Sequence, residues 1–230
     1  MSASTPPLTL IVAATVKNGI GKNGTLPWPM LKKEMAYFAR VTKRVQISSS
    51  SSSGSDKPTA SNSSQQTQNV VVMGRKTWDS IPAKFRPLPQ RTNLVISRQD
   101  ATKFVPSSLL ESGEVLVAQD IASGLAALQQ QAQAGRSKAL GRVFVIGGGA
   151  IYKSALEMEE ARHVLLTRVR GEWDCDTQFP VDVEEDLQWV RSRKDELERF
   201  TGESFDNGAL IEEEVKGVKH EFEFMLYEKK

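Results

Sequence analysis

Six short apolar runs set the strongest constraint on this chain: residues 8–15, 70–73, 93–97, 115–118, 142–146 and 163–169. Each is nearly continuous rather than alternating, the pattern of strands buried on both faces. Helical periodicity fills several of the intervals, at residues 28–45, 121–134 and 150–156. Strands alternating with helices predict an α/β fold with a mostly parallel central sheet and helices on both faces. The tail differs. In residues 221–227, Phe222, Phe224 and Leu226 alternate with Glu221, Glu223 and Met225. That alternation predicts a half-buried antiparallel strand closing a C-terminal hairpin, with residues 189–193 as its partner.

Residues 45–69 stand apart. Ten of these 25 residues are Ser, and only Val45, Ile47 and Ala60 are apolar. So little apolar surface cannot offset the entropy of ordering. The segment reads as a flexible surface insertion, at about 46–69, in a single domain spanning residues 1–230. Residues 182–199, with 11 charged side chains among 18, read as a solvated face.

Composition narrows the chemistry. Thirty Lys and Arg against 28 Asp and Glu leave +2, without the basic excess of a nucleic-acid binder. One cysteine, Cys175, excludes an intramolecular disulfide framework and multi-cysteine zinc patterns, and two histidines are too few for most histidine metal sites. No metal is expected. No apolar run approaches the roughly 20 residues that span a bilayer, and no basic region precedes the first run, so a soluble, cytoplasmic protein is expected.

The stretch Gly19-Ile20-Gly21-Lys22-Asn23-Gly24 matches the G-x-G-x-x-G nucleotide fingerprint, but Pro27 and Pro29 follow where its helix should start. A mobile loop in close approach to a ligand is the better reading. Three other junctions suit a phosphate ligand: Gly74-Arg75-Lys76-Thr77, Ser97-Arg98, and Gly147-Gly148-Gly149 opening a helix. All follow predicted buried strands, where open α/β sheets bind ligands, and bare N–H groups at a helix start suit anions. Basic residues after a strand, rather than an acid, favour NADP over NAD. No G-x-x-x-x-G-K-[ST] loop is present, which disfavours an ATP or GTP hydrolase.

Glu34 lies on the wrong face of its helix. Its neighbours at i±3 and i±4 are Met30, Leu31, Tyr37 and Phe38, and Met35 and Phe38 continue the apolar stripe. A carboxylate there either pairs with a core arginine or lines an apolar pocket that takes a cationic or N–H-rich ligand. His163 and His220 carry no signature and read as structural or surface residues. Cys175, flanked by Asp174 and Asp176, is not set up as a thiolate.

Taken in order, these motifs closely resemble dihydrofolate reductases of eukaryotic type. The resemblance runs through Leu10-Ile11-Val12-Ala13, the glycines up to Leu26-Pro27-Trp28, Glu34, and Met73-Gly74-Arg75-Lys76-Thr77-Trp78. It continues through Ser80-Ile81-Pro82, Arg86-Pro87-Leu88, Arg91-Thr92-Asn93, Ile146-Gly147-Gly148, Ile151-Tyr152 and Leu166-Thr167-Arg168. It implies NADPH-dependent reduction of 7,8-dihydrofolate to 5,6,7,8-tetrahydrofolate, serving one-carbon metabolism and thymidylate synthesis, by a monomer that antifolates inhibit. Glu34 would grip the pterin 2-amino group and ring N–H, supported by Thr167, with Trp28 holding an ordered water. Ile11, Val12, Met35, Phe38, Ile81, Leu88, Ile146 and Tyr152 would enclose the substrate, and Arg91 would hold its glutamate α-carboxylate. Ala13, Ile20 and Gly21 would border the nicotinamide. Arg75, Ser97, Arg98 and Gln99 would meet the 2′-phosphate side of the cofactor. Gly74, Lys76, Thr77 and the turn Gly147, Gly148, Gly149, Ala150, Ile151 and Tyr152 would meet its pyrophosphate, with the Gly147–Gly148 peptide cis. Three departures stand out: Met35 where eukaryotic relatives often carry an aromatic residue, Pro89-Gln90 rather than a glycine before Arg91, and the serine-rich insertion.

Overall fold

The computed structural model describes residues 5–45, 67–205 and 209–230. Eleven strands are defined among them: β1 Leu8–Thr15, β2 Gly19–Gly21, β3 Gln68–Gly74, β4 Thr92–Ile96, β5 Val115–Ala118, β6 Leu140–Val145, β7 Ala161–Val169, β8 Thr177–Gln178, β9 Trp189–Arg191, β10 Leu210–Val215 and β11 Val218–Lys229. Six α-helices intervene: α1 Lys32–Lys43, α2 Arg75–Ser80, α3 Ser107–Glu111, α4 Ile121–Gln133, α5 Gly149–Leu156 and α6 Lys194–Thr201. The main sheet runs β10-β11-β7-β1-β6-β3-β4-β5, with β9 beside β11. From β7 to β5 every pairing is parallel, while β11 meets β7, β9 and β10 antiparallel. The expected α/β architecture is therefore present, and β11 pairs antiparallel with β9 at residues 189–191 as expected, but the C-terminal hairpin itself is formed with β10, which the sequence reading did not place.

Strand alternation divides the core into two layers. Leu8, Leu10, Val12 and Ala14 of β1 pack on one face with Leu125 and Leu128 of α4 and Tyr152 and Ala155 of α5. Ile11 packs on the other with Leu31 and, from the helices, Tyr37 and Val41 of α1, Trp78 of α2 and Leu197 of α6. Helices thus cover both faces.

Four differences from the sequence reading have local causes. The first helix begins at Lys32 rather than at residue 28, because Trp28-Pro29-Met30-Leu31 approaches it in non-helical backbone. Met225 and Tyr227 are buried along with Phe222, Phe224 and Leu226, because β11 lies inside the sheet. The charged stretch 182–199 contains β9 and most of α6, which buries Leu197 and Thr201 one turn apart and exposes its charges. The serine-rich reading falls mostly on residues 46–66, outside those described, but its last residues belong to β3. Asn69 is fully buried there. Its side-chain amide donates to the carbonyls of Thr42 (3.0 Å) and Arg44 (2.9 Å), and its oxygen accepts from the Arg142 N–H at 2.9 Å.

Candidate active site

Glu34 occupies the first turn of α1, which covers the sheet beside β7. Periodic burial of Glu34, Tyr37 and Val41 turns this stripe inward. Glu34 is 7% exposed, and the Thr167 hydroxyl, from β7, lies 3.5 Å from its Oε1. Among the described residues no cation pairs with it, so the core-arginine reading drops out. Burial pushes its carboxyl up to about 7; the contact with Thr167 opposes that rise and the charge of Glu213 adds to it.

The apolar surroundings assemble mostly as expected. Ile11 is buried on the Glu34 face, and Ala13, Phe38, Ile81, Leu88 and Ile146 are half-buried against the same layer. Trp28 is buried, packs edge-on against Trp173 at 6.3 Å, and holds its indole Nε1 in the interior without an acceptor among the described residues. Three residues sit differently from the expectation. Val12 sends its side chain into the opposite layer, since alternate residues of a strand face opposite ways. Met35 is 41% exposed, one position past the buried stripe, and does not continue it. Tyr152 is buried in the opposite layer, where its hydroxyl donates to the Ile11 carbonyl at 2.8 Å.

Arg91 is 5% exposed. It donates to Thr42 Oγ1 at 2.8 Å and the Pro89 carbonyl at 3.1 Å, and its guanidinium lies 5.9 Å from the centre of the Phe38 ring. Burial lowers it to about 10, so it stays charged at neutral pH. No carboxylate among the described residues pairs with it. Gln90 supplies the left-handed backbone (φ 60°) at the position where a glycine was expected.

Parallel pairing brings the three phosphate-type turns to one edge. Gly74 is the register partner of Ile96, and Ile96 of Ala118; the Gly74 N–H donates to the Gly147 carbonyl at 2.8 Å. The Gly147–Gly148 peptide is cis, as expected. A side chain at Gly74 would place Cβ 2.9 Å from Ile151 Cγ1, and one at Gly148 3.5 Å from Thr77 Oγ1. Both α2 and α5 start from a glycine with no side-chain cap. Arg75 and Ser97 are half-exposed here; Lys76, Arg98, Gln99 and Ala150 are exposed, and Arg75 also pairs with Asp79 at 2.6 Å.

Comparisons with known proteins decide what this arrangement is. A family model described as Dihydrofolate reductase matches residues 62–207. The Pneumocystis carinii dihydrofolate reductase is 36% identical over 94% of this chain and 94% of its own length, and that of Rattus norvegicus is 36% identical over 97% and 98%. This chain belongs to the dihydrofolate reductase family. The Schizosaccharomyces pombe relative is 38% identical over 96% of this chain, which spans 46% of that protein. Among solved structures, Schistosoma mansoni dihydrofolate reductase superposes with a TM-score of 0.67 at 29% identity, covering 99% of this chain and 100% of that one.

In the structure the glycine loop makes a defined set of contacts. It contains β2, paired antiparallel to β8, then a tight turn in which Asn23 (φ 50°) and Gly24 (φ 75°) link Lys22 and Thr25. Asn-Gly at such a turn is the sequence signal for a two-residue hairpin. Gly19 is required by packing, because a Cβ there would stand 2.3 Å from Cys175 Sγ. Arg168, buried beside Thr167, fastens the loop's base: it donates to the Thr15 carbonyl, to Asn18 Oδ1 (2.8 Å) and to Glu184 Oε2 (2.6 Å). Sequence reasoning missed this anchor, although Arg directly after Thr167 in a buried strand was the available signal.

Proposed function

We propose the following division of labour for the family's reaction, the NADPH-dependent reduction of 7,8-dihydrofolate to 5,6,7,8-tetrahydrofolate. Glu34 accepts hydrogen bonds from the pterin 2-amino group and the adjacent ring N–H. A buried carboxylate without a cation among the described residues fits a ligand that brings its own N–H donors. This is the observation that carries the reading. Thr167 holds the carboxylate in place. Ile11, Phe38, Ile81, Leu88 and Ile146 supply apolar walls, and Arg91, a buried guanidinium without an acid partner among the described residues, receives the substrate's α-carboxylate in the fork geometry that Arg favours.

The glycine-rich edge fits a dinucleotide bearing a 2′-phosphate. Two uncapped helix starts offer N–H groups to the pyrophosphate, with Lys76 and Thr77 beside them, and Gly74, where a Cβ would collide with Ile151, lets α5 pack close to β3. Arg75, Ser97, Arg98 and Gln99 face the 2′-phosphate, and Ala13, Ile20 and Gly21 border the nicotinamide. NADPH, when bound, supplies the hydride that pterin C6 accepts. Glu34, gripping the 2-amino side, polarises the ring and does not itself reach N5. Trp28 Nε1 donates to a water on the path that brings the proton to N5. The loop carrying β2 limits solvent at that moment.

The test is turnover of NADPH with dihydrofolate, followed by nicotinamide absorbance, in wild type and Glu34→Gln. Turnover that is strong in the first and weak in the second is expected. Equal rates would overturn the role given to Glu34.

A further inference from the structure

The helix that carries Glu34 starts without a cap of its own. Leu31 occupies the N-cap position and offers no side-chain acceptor to the N–H groups of the first turn. The acceptor comes from 181 residues away. Glu213, in the middle of β10, places Oε1 2.7 Å from the Lys32 nitrogen and Oε2 2.9 Å from the Lys33 nitrogen. It is 9% exposed, and no Lys or Arg side chain pairs with it among the described residues. Lys33 Nζ instead donates to the Glu212 carbonyl at 2.7 Å, stitching the same helix turn to the same strand.

We infer that Glu213 is a positioning residue for the reaction: from the C-terminal hairpin its carboxylate caps the first turn of α1 and sets both the place and the electrostatic surroundings of Glu34. The inference rests on the role given to Glu34 above. One carboxylate closing two helix N–H groups fixes the orientation of the turn in which Glu34 is the third residue. It also neutralises the positive end of the helix, which would otherwise stabilise an ionised Glu34. Its own charge then disfavours a second anion close by, in the direction that burial already pushes Glu34. The hairpin thus helps to keep the acid near neutrality rather than fully ionised.

The groups around this pair are few. Thr167 faces Glu34 from β7, and Tyr37 and Tyr152, each shifted upward by burial and so un-ionised at physiological pH, lie on α1 and α5. His220 is the cross-strand partner of Glu213 on β11 and packs on Trp173, which packs on Trp28. The Lys32 and Lys33 side chains are exposed.

The test is the titration of Glu34 in the NADPH complex, read by carbon NMR of glutamate-labelled protein, with the resonance assigned by its loss in Glu34→Gln. Glu213→Gln keeps the size of the side chain but removes the charge and one acceptor. The Glu34 midpoint should fall by about 0.5–1 pH unit once the like charge is removed. The matching limb of the kcat/KM profile should move with it. If Glu213→Gln does not fold, Glu213→Asp draws the charge back by one methylene, and a smaller fall is expected. An unchanged midpoint in either folded variant overturns the inference. So does a shift of the kinetic limb that persists in a Glu34→Gln background, which would assign that limb to another group. Because the midpoint is read without turnover, failure here is separable from failure of Glu34's catalytic role.

Discussion

Thr167 Oγ1 lies 3.5 Å from Glu34 Oε1, joining the third residue of a helix to a strand 133 residues later in the chain. Ala13 and Phe224 flank Thr167 as its register partners on β1 and β11, so the hydroxyl sits where three strands and a helix meet. The contact favours the ionised acid against the larger opposing effect of burial.

Replacing Thr167 by Val should therefore raise the Glu34 midpoint above about 7, by a few tenths of a pH unit to about one. The pH dependence of kcat/KM should move upward with it, and the loss of activity should be several-fold, smaller than that of Glu34→Gln. An unchanged profile in a folded Thr167→Val protein would show that the hydroxyl does not act on the acid.

Arg98→Ala should weaken NADPH binding at least tenfold and leave NADH binding nearly unchanged, as read by fluorescence titration with each cofactor. Arg98 is exposed and unpaired among the described residues, at the strand edge that also carries Arg75. A phosphate contact with charge assistance is worth about 1.5–3 kcal/mol. Equal losses for both cofactors would move Arg98 away from the 2′-phosphate.

Deleting residues 48–66, joined by a short Gly-Ser link, should leave turnover and thermal stability close to wild type. Asn69 holds the carbonyls of Thr42 and Arg44, so the points where the chain leaves α1 and enters β3 are already tied together. Loop length adds little further free energy, about 0.6 kcal/mol per doubling. A folded deletion protein with sharply reduced turnover would reveal a role for the segment.

What the sequence made legible followed periodicity and what it hid came from partners far along the chain. The buried strands announced themselves because residues such as Val70, Val71, Val72 and Met73 are apolar on both faces, as a parallel sheet between helices demands. β10 was invisible because Leu210–Val215 carries three glutamates on an edge strand, where charge guards against further pairing. The two short helices α2 and α3 have too few turns to show a period. Within the site, Glu34 was legible because an acid interrupted an apolar stripe. Glu213 was not, because nothing in its own neighbourhood says that it caps a helix. The misreading of Met35 came from widening the stripe by one position: the buried residues of α1 are Glu34, Tyr37, Val41 and Thr42, with Phe38 packed beside them, and Met35 lies about a quarter turn outside that face.

Glu34→Gln should separate catalysis from stability. Removing the carboxylate removes a preorganised charge from the place where the pterin gathers positive charge, a loss of order 2–4 kcal/mol or about 30- to 1,000-fold in rate at pH 7.5. The deficit should shrink toward pH 5, as solvent delivers the proton more readily. Stability should move the other way. The folded midpoint of about 7 lies above the ordinary 4.5, so the folded protein holds a proton that the unfolded chain has already lost. The stabilisation from this group is full below pH ~4.5 and lost as pH rises through ~7, a swing of about 3 kcal/mol. By pH 8 the unliganded wild type carries a buried anion with no cation beside it among the described residues, whereas the glutamine variant does not. Unliganded Glu34→Gln should therefore melt several degrees above wild type at pH 8, with the gap narrowing toward pH 5, in scanning calorimetry across that range. A variant that is less stable than wild type at pH 8 would show that the acid is satisfied within the fold, and that its place on the apolar stripe is structural.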